Sequence, residues 1–231
     1  MRKLSEIIKI YIIYLIIFFF SSNAFSQNIN HSVEDVDLAH EIVSLLEKNH
    51  FTKKRYNEIY VKASEIYLER LDPTRSFLLD HEVLDKVQED TKYDLLDSQI
   101  SISFNLFKIY QKRYKQRSDL HLALLKEIET LNLNQDIKIL LDRSEAPWMK
   151  SEEELTTLWT NQFINSVIQL LINGNTNEEV ITKLTKQINC QRNDFLQTRN
   201  EDVFGLFINS IASSYDPHTS YFSPRKLKIF K

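Results

Sequence analysis

The stretch EDVFGLFINSIASSYDPHTSYFSPR, Glu201 to Arg225, joins two kinds of sequence at a single point. Up to Ser213 it reads as a helix. Glu201 and Asp202 open it at the positive end of the helix dipole, and Val203, Phe204, Phe207, Ile208 and Ile211 recur at the spacing that gathers them on one face. Asp216-Pro217 then stops it, because the residue before a proline is driven out of the α region. Between Tyr215 and Arg225 two prolines, an aspartate, a histidine, two serines and a threonine share eleven positions. An apolar helix followed by an abrupt polar turn sets the pattern for the whole chain.

The same frame stands earlier, in LDPTRSFLLDHE (Leu71–Glu82). Asp72-Pro73 and Asp216-Pro217-His218-Thr219-Ser220 both read as turns, whose Asp, Ser and Thr side chains are placed to cap neighbouring backbone N–H groups. Around these turns the periodicity predicts further helices. Ser32 and Asp35 open one that carries Val36, Ala39, Ile42, Val43 and Leu46. Another starts near Asn57, carries Ile59, Ala63, Ile66 and Tyr67, and ends at LDP. The longest reading runs from about Asp80 to Thr130 with one or two breaks, through Ile102, Leu106, Ile109, Tyr110, Leu122, Leu125 and Ile128. Asp136–Asp142 is a short strand or extended chain. Ser151 and Glu154 have capping-box spacing, and their helix continues past Phe163 and Val167 to Asn173-Gly174, where glycine supplies the left-handed stop. A further helix spans about Thr176 to Thr198. The expected fold is all-α: an irregular multi-helix domain with long helices and Asp-Pro loops, and at most one short strand.

Composition agrees. The 231 residues are 42% apolar, with only two glycines and four prolines. Glycine-poor chains are ill suited to phosphate loops, dinucleotide folds and hairpin-rich β structures, which need positive φ. One cysteine, Cys190, excludes an internal disulfide. Residues 1–26 read as a signal peptide: Arg2, Lys3 and Lys9 precede the apolar run Ile10–Phe20, and Ala24 and Ser26 form a small-x-small cleavage site. The alternative is an uncleaved segment that anchors the chain in the inner membrane. A chain starting at Gln27 keeps 26 basic against 31 acidic residues, a net charge of −5 that argues against nucleic acid as a partner. The basic clusters Lys53–Arg55 and Lys112–Arg117 read as solvated faces.

No reactive constellation assembles from the residues. Asp216, His218 and Ser220 are the types of a hydrolytic triad, but three alternating residues of one loop point the same way rather than at each other. HEVLD, His81–Asp85, lacks the second histidine of a zinc helix, and His40-Glu41 fails likewise. Glu152–Glu154, Glu178–Glu179 and Glu201–Asp202 sit at helix starts, where the dipole accounts for them. Trp148 and Trp159 belong under a loop rather than on a binding face. No catalytic residue, cofactor or metal ligand is assigned.

Three blocks together resemble the N-terminal region of the tail-specific, or carboxy-terminal processing, proteases of peptidase family S41. They are LDPTRSFLLDHE, DRSEAPWMKSEEELTTLW (Asp142–Trp159) and, most specifically, EDVFGLFINSIASSYDPHTSYFSPR. The resemblance covers nearly all of the chain after residue 26. It implies a helical N-terminal domain over 27–214 and a junction, 215–231, that leads toward a PDZ domain. Members of that family are periplasmic serine endopeptidases that act on proteins through their C-terminal tails, with a serine activated by a lysine in an α/β core beyond the PDZ domain. Neither residue of that dyad falls within these 231 positions, so the stretch by itself is expected to be inactive. The resemblance implies a scaffold that shapes substrate access, with protein substrates or an adaptor protein as partners. The alternative is a self-sufficient periplasmic helical adaptor.

Overall fold

The computed structural model describes residues 29–84, 94–133 and 138–229, and every regular element among them is helical. The α-helices are α1 (Val33–Asn49), α2 (Tyr56–Leu71), α3 (Asp80–Leu84), α4 (Leu95–Lys126), α5 (Glu152–Ile172), α6 (Asn177–Leu196), α7 (Asn200–Tyr215) and α8 (Pro224–Ile229), with a 3-10 turn at Ile128–Thr130. Among the described residues no helix is long and apolar enough to cross a membrane. The signal-peptide reading, 1–26, lies outside the described residues, as do 134–137. Within the predicted Asp136–Asp142 segment, residues 138–142 have no regular structure, so no strand forms there. An isolated parallel bridge pairs Leu79 with Met149.

Local chemistry sets the helix ends. Ser32 Oγ accepts from the Asp35 amide at 3.2 Å, and Asp35 accepts from the Ser32 amide at 2.8 Å, a complete capping box. Thr176 and Glu179 make another. At Ser151 only half of the predicted box forms. Its hydroxyl accepts from the Glu154 amide at 3.2 Å, while Glu154 reaches one residue further back, to the Lys150 amide at 2.7 Å. Gly174 takes φ +85°, and its own amide and that of Asn175 donate to Leu171 and Leu170 carbonyls, the left-handed stop expected after α5.

At 32 residues, α4 is the spine, roughly 48 Å long at 1.5 Å per residue. Its first half buries Leu96, Ile100, Phe104 and Phe107 against Ala39 and Val43 of α1, Ile59, Ala63 and Tyr67 of α2, and the apolar face of α7. Its far end buries Leu125, with Ile128 beyond it, against Phe163 and Val167 of α5 and Val180, Leu184 and Ile188 of α6. A third cluster, Phe77, Leu79, Leu155 and Trp159, sits on Tyr110 and Tyr114 at the middle of α4. The row that periodicity picks out, Ile102, Leu106, Ile109 and Tyr110, is only partly buried apart from Leu106. A helix covered on several sides buries more than one stripe, so the deepest row was the neighbouring one.

Candidate functional site: two Asp-Pro loops

α2 ends where the Asp72 amide donates to the Leu68 carbonyl and Pro73 blocks the next turn. The Asp72 side chain, 1% exposed, then turns back under its own loop. One oxygen accepts from the Ser76 amide at 2.9 Å, the other from Phe77 at 2.7 Å and Leu78 at 3.0 Å. Burial raises the pKa of this carboxyl, against the downward pull of the three amides and of Arg117. The carbonyls of the loop are taken as well. Arg143 donates to those of Thr74 and Arg75 at 3.2 and 3.3 Å, Trp159 Nε1 to Ser76 at 2.7 Å, and Arg113 to Phe77 at 2.9 Å. Arg113 is also paired with Glu82, whose carboxylate accepts the Leu79 amide. The loop is thus a polar knot at the edge of the fold, its Asp72 carboxylate and the carbonyls from Thr74 to Phe77 all bonded to neighbouring groups.

The blocks Leu71–Glu82 and Asp142–Trp159 meet at this knot. Arg75, held at φ +46°, donates to the Ala146 carbonyl at 2.8 Å, and its guanidinium lies 5.5 Å from the centre of the Trp148 ring. Beside them opens a cleft of about 430 Å³ whose lining includes apolar Leu68, Pro73, Val83 and Trp148 and acidic Glu65 and Glu69.

The second loop is built differently. Asp216 caps α7 through its amide, to Ala212 at 3.2 Å, and its carboxylate takes the Thr219 hydroxyl at 3.4 Å. The Asp216 carbonyl accepts the Thr219 amide at 3.0 Å, while its carboxylate, unlike that of Asp72, takes no backbone N–H among the described residues. Pro217, His218 and Ser220 are exposed, and no hydrogen bond joins Asp216, His218 and Ser220 into a relay among the described residues. The histidine that engages this loop is His50. Its Nε2 lies 3.2 Å from Thr219 Oγ1, its Nδ1 2.9 Å from Thr52 Oγ1, and its ring meets Tyr215 edge-on at 5.3 Å. Burial, with Glu47 and Glu58 nearby, pushes the Tyr215 phenol up to about 12, so it stays protonated at neutral pH.

Between Tyr221 and Arg225 the chain forms a strap that lies along α7. Asn209 treats Tyr221 as a strand partner, its Oδ1 accepting from the Tyr221 amide at 2.8 Å and its Nδ2 donating to the Tyr221 carbonyl at 3.1 Å. The Tyr221 ring stands edge-on to Phe204, Ser223 is buried, and Arg225 pairs with Glu201 and Asp202 at the start of α7. Nothing in the sequence of His50, Asn209, Arg113 or Arg143 marks these partners, because each pair is far apart along the chain or looks like ordinary surface polarity.

The residues of the two metal-like motifs also have partners within the fold. His81 is exposed, Glu82 is committed to Arg113, and Asp85 lies outside the described residues. His40 pairs with Asp97 at 2.8 Å and lies 4.0 Å from Asp94, which caps α4 through the Leu96 amide. All three are substantially solvated, and their ligand atoms lie within 4.8 Å of one another.

A family model described as the tail specific protease N-terminal domain matches residues 42–225, from within α1 to the start of α8. The chain belongs to the tail-specific protease N-terminal domain family. Both Asp-Pro loops and all three apolar clusters lie in the matched span, apart from Ile29, Val36 and Ala39 of the first cluster. This tail-specific protease domain is also 30% identical over 189 residues to the Tail-specific protease of Haemophilus influenzae (strain ATCC 51907 / DSM 11121 / KW20 / Rd), a match that covers 80% of this chain. The chain spans 27% of the length of that relative.

Proposed function

We propose that this chain serves as the helical scaffold of a periplasmic, tail-directed serine endopeptidase of family S41, shaping substrate access and docking protein partners, with no peptidase activity of its own. The observation that carries this reading is the junction. The family match ends at Arg225, and the strap that it closes on, 221–225, is bonded to α7 through Tyr221 to Asn209 and Arg225 to Asp202. A segment held in this way fixes where any following domain would emerge, as a scaffold requires. The bonded Asp72 loop and the unlinked Asp216, His218 and Ser220 supply no chemistry of their own. The pattern of residues 1–26 supports export.

The test is a chimera in which residues 27–231 replace the matching region of the Haemophilus influenzae protein. The readout is degradation of a reporter with an apolar C-terminal tail. The chimera should degrade the tailed reporter and spare an untailed one, and the purified chain alone should degrade neither. A folded chimera without tail-dependent activity, or cleavage by the chain alone that disappears on Ser-to-Ala changes within it, would overturn the scaffold reading. In the latter case the chain would be an enzyme in itself. Activity-free but specific capture of a partner would support the adaptor reading instead. Cell fractionation tests export, with a periplasmic pool lacking residues 1–26 as the expected result.

A further inference from the structure

The cleft beside the Asp72 loop is where two of the three family-like blocks come together, and its chemistry is one-sided. The loop's carbonyls from Thr74 to Phe77 are already bonded to Arg143, Trp159 and Arg113. Arg75, the one cation lining the cleft, is held on the Ala146 carbonyl and the Trp148 ring. Besides Asp72, already bonded within its loop, and Ser144, the lining is apolar and aromatic at Leu68, Pro73, Val83 and Trp148, and acidic at Glu65 and Glu69. These two glutamates stand four residues apart on α2, so their side chains are neighbours on one helix face and repel each other. Both are exposed, and neither has an ion-pair partner among the described residues. A volume of about 430 Å³ lies in the range of small-ligand pockets, enough for one or two side chains of a peptide.

We propose that this cleft binds a protein partner or substrate through an extended segment in which a lysine or arginine adjoins a large apolar side chain. The apolar residue covers Trp148, Leu68 and Pro73, and the cation sits between Glu65 and Glu69, relieving their repulsion. An acidic segment meets two carboxylates there and is rejected. The proposal gives a chemistry to the docking role above and rests on that reading for its biological use, while the binding itself is measured separately.

Isothermal titration of the full chain with N-acetyl-Leu-Arg-Leu-amide tests it, with arms that carry Lys or Glu in place of Arg. The Arg and Lys peptides should saturate one site, and the Glu peptide should not bind. Glu65→Gln/Glu69→Gln should weaken the basic peptides by about tenfold or more, the scale of lost charge-assisted contacts. Both positions are exposed, so circular dichroism and melting should be unchanged in that variant. Absence of saturation by either basic peptide up to ~1 mM, equal binding of the Glu peptide, or undiminished affinity in the double variant would each overturn the proposal. A working chimera with no peptide binding removes the cleft and keeps the scaffold, and peptide binding with a failed chimera does the reverse.

Discussion

Asp72 shows how much of this fold hangs on single side chains. Its carboxylate satisfies three buried amides at once, so Asp72→Ala strands three donors away from water. The expected loss is about 3 kcal/mol or more by urea denaturation, with a smaller loss in Asp72→Asn, which keeps one acceptor oxygen. His121 sets a pH dependence. It lies against Phe163, its Nε2 is 3.1 Å from the Trp159 carbonyl, and burial, reinforced by Arg117, lowers its pKa from 6.5 to about 4. Between those values the unfolded chain binds the extra proton and the folded one does not, so stability rises with pH. The contribution of His121 is complete above about pH 6.5 and is lost as pH falls towards 4, up to about 3 kcal/mol in all. His121→Gln should flatten the urea midpoint across this window. A midpoint in the variant with the same slope against pH would assign the dependence to other groups.

At the scale of elements, the two glycines separate backbone demand from mere composition. Gly174 ends α5 at φ +85°, and Gly174→Ala should cost about 1 kcal/mol for placing a Cβ in the left-handed region. Gly205 lies inside α7, where an added Cβ meets nothing within 4 Å. Gly205→Ala should therefore stabilise by about 0.5–1 kcal/mol through helix propensity and reduced unfolded-state entropy. Thermal melts of the two variants should shift in opposite directions. The strap has its own readout. Asn209→Ala removes both bonds to Tyr221, so the Tyr221 amide should exchange faster and trypsin should cut sooner at Arg225 and Lys226, with α7 itself still protected. Unchanged exchange at Tyr221 would place the hold on Arg225 and the Tyr221 ring instead.

Across the whole molecule, α4 belongs to both end cores, and the Trp159 cluster bridges its middle. Neither end can lose α4 without exposing apolar surface at the other. Unfolding followed by Trp fluorescence and by far-ultraviolet circular dichroism should therefore coincide in one transition. Two separated transitions would show that the spine can fray from one core while holding the other. Phe163→Ala, at the far core, should lower the common midpoint by about 3–5 kcal/mol equivalent for both probes.

The sequence by itself determined the all-α class, the order of the long helices and most of their ends. Those depend on local physics: a 3–4 apolar spacing, Ser32 and Thr176 at caps, proline after Asp72 and Asp216, glycine after Asn173. It also showed that the Asp-Pro segments are turns and that no triad sits in YDPHTS, since neighbours in an extended loop cannot converge. Only the tertiary structure decided what the turns do. Asp72 and Asp216 share a frame, yet one is a buried anchor and the other a half-exposed cap, because α4, α5 and the Arg143 segment close over the first loop alone. The route of the strap, the partnership of His50 with Thr219, and the cleft beside Trp148 arise from contacts between residues distant in the chain. Periodicity and caps carry no information about which distant surface will arrive, and burial on arrival is what turns an ordinary polar residue into a structural one.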